Sequence, residues 1–115
     1  MTLPAPFFDT ACPARWQLAL SRLDLVNFVT LVPGHGAPMS RDDFVIYRRA
    51  FDSLLACAAS PASNGDCVEG WQRDAAAFLA TDRDRQLARG LVDYYLTAIL
   101  RGDEAKIAAL CGTAD

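Results

Sequence analysis

The sequence predicts a mainly α fold: a small antiparallel helical bundle with one short strand near residues 28–32. Three observations lead there. From Ser40 onward apolar residues recur at helical spacing. Residues that start and stop helices punctuate that stretch. Only Phe28-Val29-Thr30-Leu31-Val32 has the β-branched, apolar character of a strand.

Taken in order, residues 1–11 read as an extended lead that carries the apolar pair Phe7-Phe8. Pro13 suits a first helical turn, and Trp16, Leu20 and Leu23 follow at helical spacing, which predicts a short amphipathic helix over 13–23. The 28–32 strand ends at Pro33-Gly34. A single strand cannot satisfy its own backbone hydrogen bonds, so it needs a partner that the other predicted elements do not supply. Ser40 followed by Asp43 resembles a capping box and opens a helix over 41–59, with Phe44, Tyr47, Phe51, Leu54, Leu55 and Ala58 on one face. Val68, Trp71, Ala75, Phe78 and Leu79 predict a helix over 66–80. Leu87, Leu91, Tyr94, Tyr95, Ala98 and Ile99 predict another over 82–101. Gly102 stops it, and Asp103 can cap a last short helix through Leu110. Helices joined by short loops pack most simply as an antiparallel bundle.

The 115 residues read as a single domain, 1–115. With 52% hydrophobic and 22% charged residues the chain is of folded, globular type. A net charge of −3 argues against nucleic acid as a partner. No apolar run approaches the roughly 20 residues needed to span a bilayer, which predicts a soluble protein with no membrane partner. The opening MTLPAPFFDT has neither the basic nor the apolar region of a signal peptide. There is one histidine, so no mechanism that needs two imidazoles within a monomer is open to this chain.

Four cysteines stand at 12, 57, 67 and 111, without a CxxC pair. Cys57 ends one helical pattern, Cys67 begins the next, and AASPASNGD runs between them. A Cys57–Cys67 disulfide would clip two antiparallel helices, at about 2–3 kcal/mol. A Cys12–Cys111 bridge would complete the pairing, although nothing local brings those ends together. The alternative is four buried free thiols acting as small hydrophobes. Oxidised pairs would point to a periplasmic or exported setting.

The segment that carries chemistry is Leu31-Val32-Pro33-Gly34-His35-Gly36-Ala37-Pro38. A strand runs into a tight turn and presents an imidazole between two glycines, which is how a metal ligand is often held. Alone, the imidazole falls short of the three or so protein ligands of a catalytic zinc. Among the other polar groups, Arg48-Arg49 and Arg83, Arg85 and Arg89 read as solvated helix faces pairing with Asp42, Asp52, Asp82 and Asp84. Asp42-Asp43 and Asp82 with Asp84 sit at helix starts, where the dipole favours them. Trp16, Trp71, Tyr94 and Tyr95 read as core, and neither Ser40 nor Ser53 has a base at nucleophile spacing. A catalytic residue is not identified.

Trp16, Leu20 and Leu23 followed by TLVPGHGAPMSRDDFVIYRRAF resemble the carboxy-terminal part of metallo-β-lactamase-fold hydrolases, over about residues 7–58. The resemblance implies an αββα sandwich with one or two zinc ions, and His35 matches the family's last metal-binding histidine. Residues 1–59 then correspond to the end of that fold and 60–115 to a helical extension. The family's His-x-His-x-Asp-His cluster should lie well upstream of the turn, yet no second histidine is present. Asp9, in Phe-Phe-Asp-Thr, lacks the Gly-Asp setting of the family's bridging aspartate and is not carried over. The expectation is therefore a truncated or degenerate hydrolase fragment, incompetent alone and holding no cofactor in isolation. The alternative is a non-enzymatic helical module. Either would leave apolar strand surface to be covered, so a homo-oligomer is expected.

Overall fold

The computed structural model describes residues 6–9 and 11–112. Five α-helices form the body: α1 (Pro13–Asp24), α2 (Arg41–Ala58), α3 (Asn64–Asp74), α4 (Asp82–Tyr95) and α5 (Glu104–Cys111). Two short strands, β1 (Thr30–Leu31) and β2 (Met39–Ser40), pair antiparallel between α1 and α2, with Thr30 opposite Ser40 and Leu31 opposite Met39. The mainly helical architecture is the one the sequence predicts. Of the extended lead, residues 1–5 and 10 lie outside the described residues.

The strand differs from expectation in length and in partner. Only Thr30 and Leu31 are in register, and the partner lies just across the turn rather than outside the chain. Phe28 leaves the strand direction to stack edge-on against Phe44, at 5.3 Å and 86°. Met39, unremarkable as a sequence signal, is buried and gives the hairpin its inner face.

Local capping sets the helix starts. Ser40 and Asp43 form a reciprocal capping box: Ser40 Oγ accepts from the Asp43 amide and Asp43 Oδ2 from the Ser40 amide, each at 3.1 Å. Ser63 caps α3 through the Asp66 amide, Thr81 caps α4 through Asp84, and Asp103 caps α5 through Ala105.

Two helix ends depart from the sequence pattern. The run expected over 66–80 breaks at Asp74, and a 3₁₀ turn, Ala76–Phe78, carries the chain on. The helix expected over 82–101 changes to a π turn at Leu96–Leu100, marked by the Arg101 amide donating to the Leu96 carbonyl at 2.8 Å. The buried face keeps ordinary helical spacing across that turn, one position on from the stripe the sequence suggests. Ala88, Val92, Tyr95, Leu96 and Ile99 are buried, while Leu87 and Tyr94, expected inside, stand about half exposed at 49% and 57%. Gly102 then ends the run, because a Cβ there would lie 2.4 Å from the Ala98 carbonyl oxygen.

The core is aromatic and gathers on α2. Phe44, Tyr47, Phe51 and Leu54 are all buried. Phe8, from the irregular lead, is fully buried and meets Trp16, Phe51 and Tyr95 at 5.4–5.8 Å. Tyr95 in turn donates to Asp9 Oδ1 at 3.1 Å, and burial together with that acidic neighbour pushes its phenol up to about 12. Asp24, Arg41 and Arg48 fasten the end of α1 to α2: Arg41 bonds the Asp24 carboxylate at 3.0 Å and its carbonyl, and Arg48 reaches Asp24 Oδ2 at 2.7 Å. Arg41 also lies over the Phe28 ring, 4.5 Å from its centroid.

Both disulfides are present. Cys57–Cys67 clips α2 to α3, and Cys12–Cys111 joins the start of α1 to the end of α5. Their sequence separations are 10 and 99. In the chain-entropy description spans of that order stabilise by about 2–3 and 4–5 kcal/mol respectively. The alternative of four buried free thiols is therefore replaced by two structural bridges.

Two substitutions probe this packing. Tyr47 Oη is buried and has no hydrogen-bond partner among the described residues. Removing an unpaired buried hydroxyl relieves a desolvation cost of about 1–3 kcal/mol, so Tyr47→Phe raises the midpoint of thermal unfolding. Gly102→Ala forces its new methyl onto the Ala98 carbonyl and costs about 1–3 kcal/mol, measured as a lower midpoint in urea at unchanged slope.

Candidate functional site

The His35 turn is built by what flanks it. Leu31 and Met39 pair at its base, with Met39 buried beneath. Pro33 is buried and anchors the outgoing limb, whereas Gly34, His35, Gly36, Ala37 and Pro38 are exposed. Gly36 takes φ 101°, a backbone angle that side-chain-bearing residues rarely adopt. Gly34 has ordinary φ, and a Cβ there would meet nothing within 4 Å. Of the two glycines around His35, only the second is demanded by the fold. The returning limb ends at Ser40, which is both the last residue of β2 and the cap of α2. The turn is thereby fixed to the longest helix.

Behind the turn lies a cleft of about 340 Å³, lined by Gly36, Ala37, Pro38, Met39, Asp43 and Phe78 among others. Its one carboxylate, Asp43, accepts from the Ser40 amide in the capping box. His35 lies outside this cleft and is exposed.

The donors needed for a zinc centre do not gather. Among the described residues no group of three or more His, Cys, Asp or Glu side chains could hold a metal ion. All four cysteines are committed to disulfides, which removes thiolate ligands. Asp9 is exposed and accepts from Tyr95, with its geometry set by the core beside it. The residues present do not fit a three-ligand zinc site within one chain. What the turn offers is one exposed imidazole, able to give a single bond to a metal or to exchange a single proton.

The charged groups read from sequence as solvated faces partly pair as expected. Arg48 lies 3.8 Å from Asp52, and Arg85 pairs with Asp82. Arg48 has the closer partner in Asp24, and Arg89 reaches Glu69 at 2.9 Å. Arg101 escaped the sequence reading. Its guanidinium bonds the carbonyls of Cys57, Ala58 and Ser60 and the Asn64 side chain, at 2.8–3.1 Å. It also lies 3.7 Å from Cys67 Sγ. It caps the end of α2 from across the bundle, and no local pattern announces such a long-range cap.

A second surface draws notice. Leu25, Val26, Val29 and Val32 are 53–85% exposed within one short segment. Beside them an open groove of about 810 Å³ runs along α1, lined by Trp16, Leu18, Leu23 and Val26 together with Arg15 and Arg22. No helix among the described residues is long and apolar enough to cross a membrane. Compared with known proteins, the chain matches no family model, no curated protein and no solved structure.

The two glycines give the turn an internal control. Gly36→Ala places a side chain in a disfavoured backbone angle and costs about 1–3 kcal/mol, whereas Gly34→Ala has no effect on the same urea-unfolding curve beyond about 0.5 kcal/mol.

Proposed function

We propose that this chain is the helical closing segment of a metallo-β-lactamase-like, zinc-dependent hydrolase, degenerate or truncated with respect to catalysis and inactive alone. One observation carries the reading: the strand, Pro-Gly-His-Gly turn and capped helix form a unit that presents a single exposed imidazole, while among the described residues no group of three or more His, Cys, Asp or Glu side chains could hold a metal ion. A catalytic zinc needs about three protein ligands. In this reading His35 gives one of them to a site that another polypeptide completes, and the role of the chain is to brace the turn. The buried Pro33, the angle at Gly36 and the Ser40–Asp43 capping box support that role. The two disulfides are consistent with an oxidising compartment such as the periplasm.

A second reading, a non-enzymatic module that dimerises, is favoured by the exposed Leu25, Val26, Val29 and Val32. Its occupant is a second copy of the chain, laid against the outer edge of β1 and the end of α1.

Two measurements separate the readings. The purified chain with added Zn²⁺ is assayed on β-lactam, thioester and phosphodiester substrates. No turnover is expected, and metal-dependent turnover abolished by His35→Ala overturns the first reading. Sedimentation equilibrium gives the mass in solution. A dimer dispersed by Val29→Asp with Val32→Asp supports the module, and a monomer overturns it.

A further inference from the structure

The two disulfides hold very different things. Cys57 and Cys67 join α2 and α3, which pack closely along the aromatic core, and Cys67 is buried. Arg101 spans the same junction, bonding the Cys57 carbonyl and Asn64 and lying against Cys67 Sγ. With the S–S bond broken, both sulfurs would still be held side by side, so the bridge re-forms readily. Cys12–Cys111 instead ties down α5, which buries none of its residues. Ile107 and Leu110 are only half-buried. An apolar pocket of about 210 Å³, open to solvent, lies where the helix meets the body, lined by Pro13, Ala14, Leu55, Ile99, Ile107 and Cys111 among others. Side chains bordering such a pocket forgo part of their dispersion contacts. An isolated helix shorter than about 12–15 residues is marginal in water, and α5 has eight.

We propose that α5 is a redox-latched flap: reduction of Cys12–Cys111 releases residues 103–112 and uncovers the apolar surface beneath, while the Cys57–Cys67 bridge and the α2–α3 pair stay closed. The release stops at Arg101, whose clamp on the end of α2 lies immediately before Gly102 and the Asp103 cap. The reductant is a dithiol. Its thiolate attacks one sulfur of the pair, the Cys12–Cys111 bond breaks, and a mixed disulfide forms. Its second thiol then displaces the remaining cysteine sulfur. The reductant leaves as a disulfide, having given two electrons and two protons, and Cys12 and Cys111 end as thiols.

The test is graded reduction of the native chain with dithiothreitol, trapping of thiols with N-ethylmaleimide and assignment by peptide mass spectrometry, with amide exchange followed in parallel. Cys12 and Cys111 are expected to be labelled on the order of tenfold faster than Cys57 and Cys67. Exchange should rise by a similar factor over 104–111 and not over α2 or α3. The double variant Cys12→Ser with Cys111→Ser reproduces the same exchange pattern without reductant. Labelling of Cys57 and Cys67 first or together with the other pair overturns the latch. So does a variant whose 104–111 amides remain as protected as in the oxidised chain, or one in which α2 and α3 lose protection along with α5.

Discussion

The stripe of Phe44, Tyr47, Phe51 and Leu54 along α2 is the constraint on which the other elements depend. Every helix meets that stripe directly or through a neighbour. Trp16 reaches it from α1, Trp71 from α3, Phe78 from the 3₁₀ turn and Phe28 from the hairpin, at ring separations of 5.3–6.4 Å. Such contacts add roughly 0.5–1.5 kcal/mol each beyond the area they bury. Phe8 completes the arrangement by filling the junction of α1, α2 and α4 from a segment with no regular structure. A chain this small has few other ways of covering so much apolar surface.

That arrangement also explains why the His35 turn is held at both ends while its tip stays open. Phe44 lies one turn beyond the Ser40 cap, so the start of α2 cannot shift without disturbing Phe28 and the strand before it. The core therefore transmits its rigidity to the base of the hairpin through a single helix start. The tip, from Gly34 to Pro38, is shaped by backbone preference rather than by burial. An exposed imidazole on a firmly held base is suited to meeting something that approaches from outside.

Much of this was legible in the sequence because it is local. Ser40 and Asp103 announced helix starts through chemistry that acts over two or three residues. Proline and glycine marked the turn. The Cys57–Cys67 pairing followed from two helical patterns facing each other across a short loop. What was not legible is non-local or too brief to leave a period. Met39 and Ser40 make a strand of two residues, which no alternation can reveal. The stripe chosen from the sequence over 82–101 lay one position off, because Leu87 and Tyr94 stand next to the buried Ala88 and Tyr95 and periodicity alone does not choose between neighbouring stripes. Arg101 finds its partners 34–44 positions away, and the Cys12–Cys111 bridge, offered by the sequence with nothing local to bring its ends together, spans 99. For the site, His35 stood out by its setting, whereas the sparse donor set around it could be judged only once the carboxylates and thiols had positions.

The Cys12–Cys111 bond brings two distant α-carbons to 4.6 Å, so residues 12 to 111 constitute a covalent ring. Tension applied to the backbone on either side of that bond is carried by sulfur, and the helices inside the ring bear none of it. A single cut in the stretch between α2 and α3 would leave the two pieces joined through both disulfides, one on each side of the break.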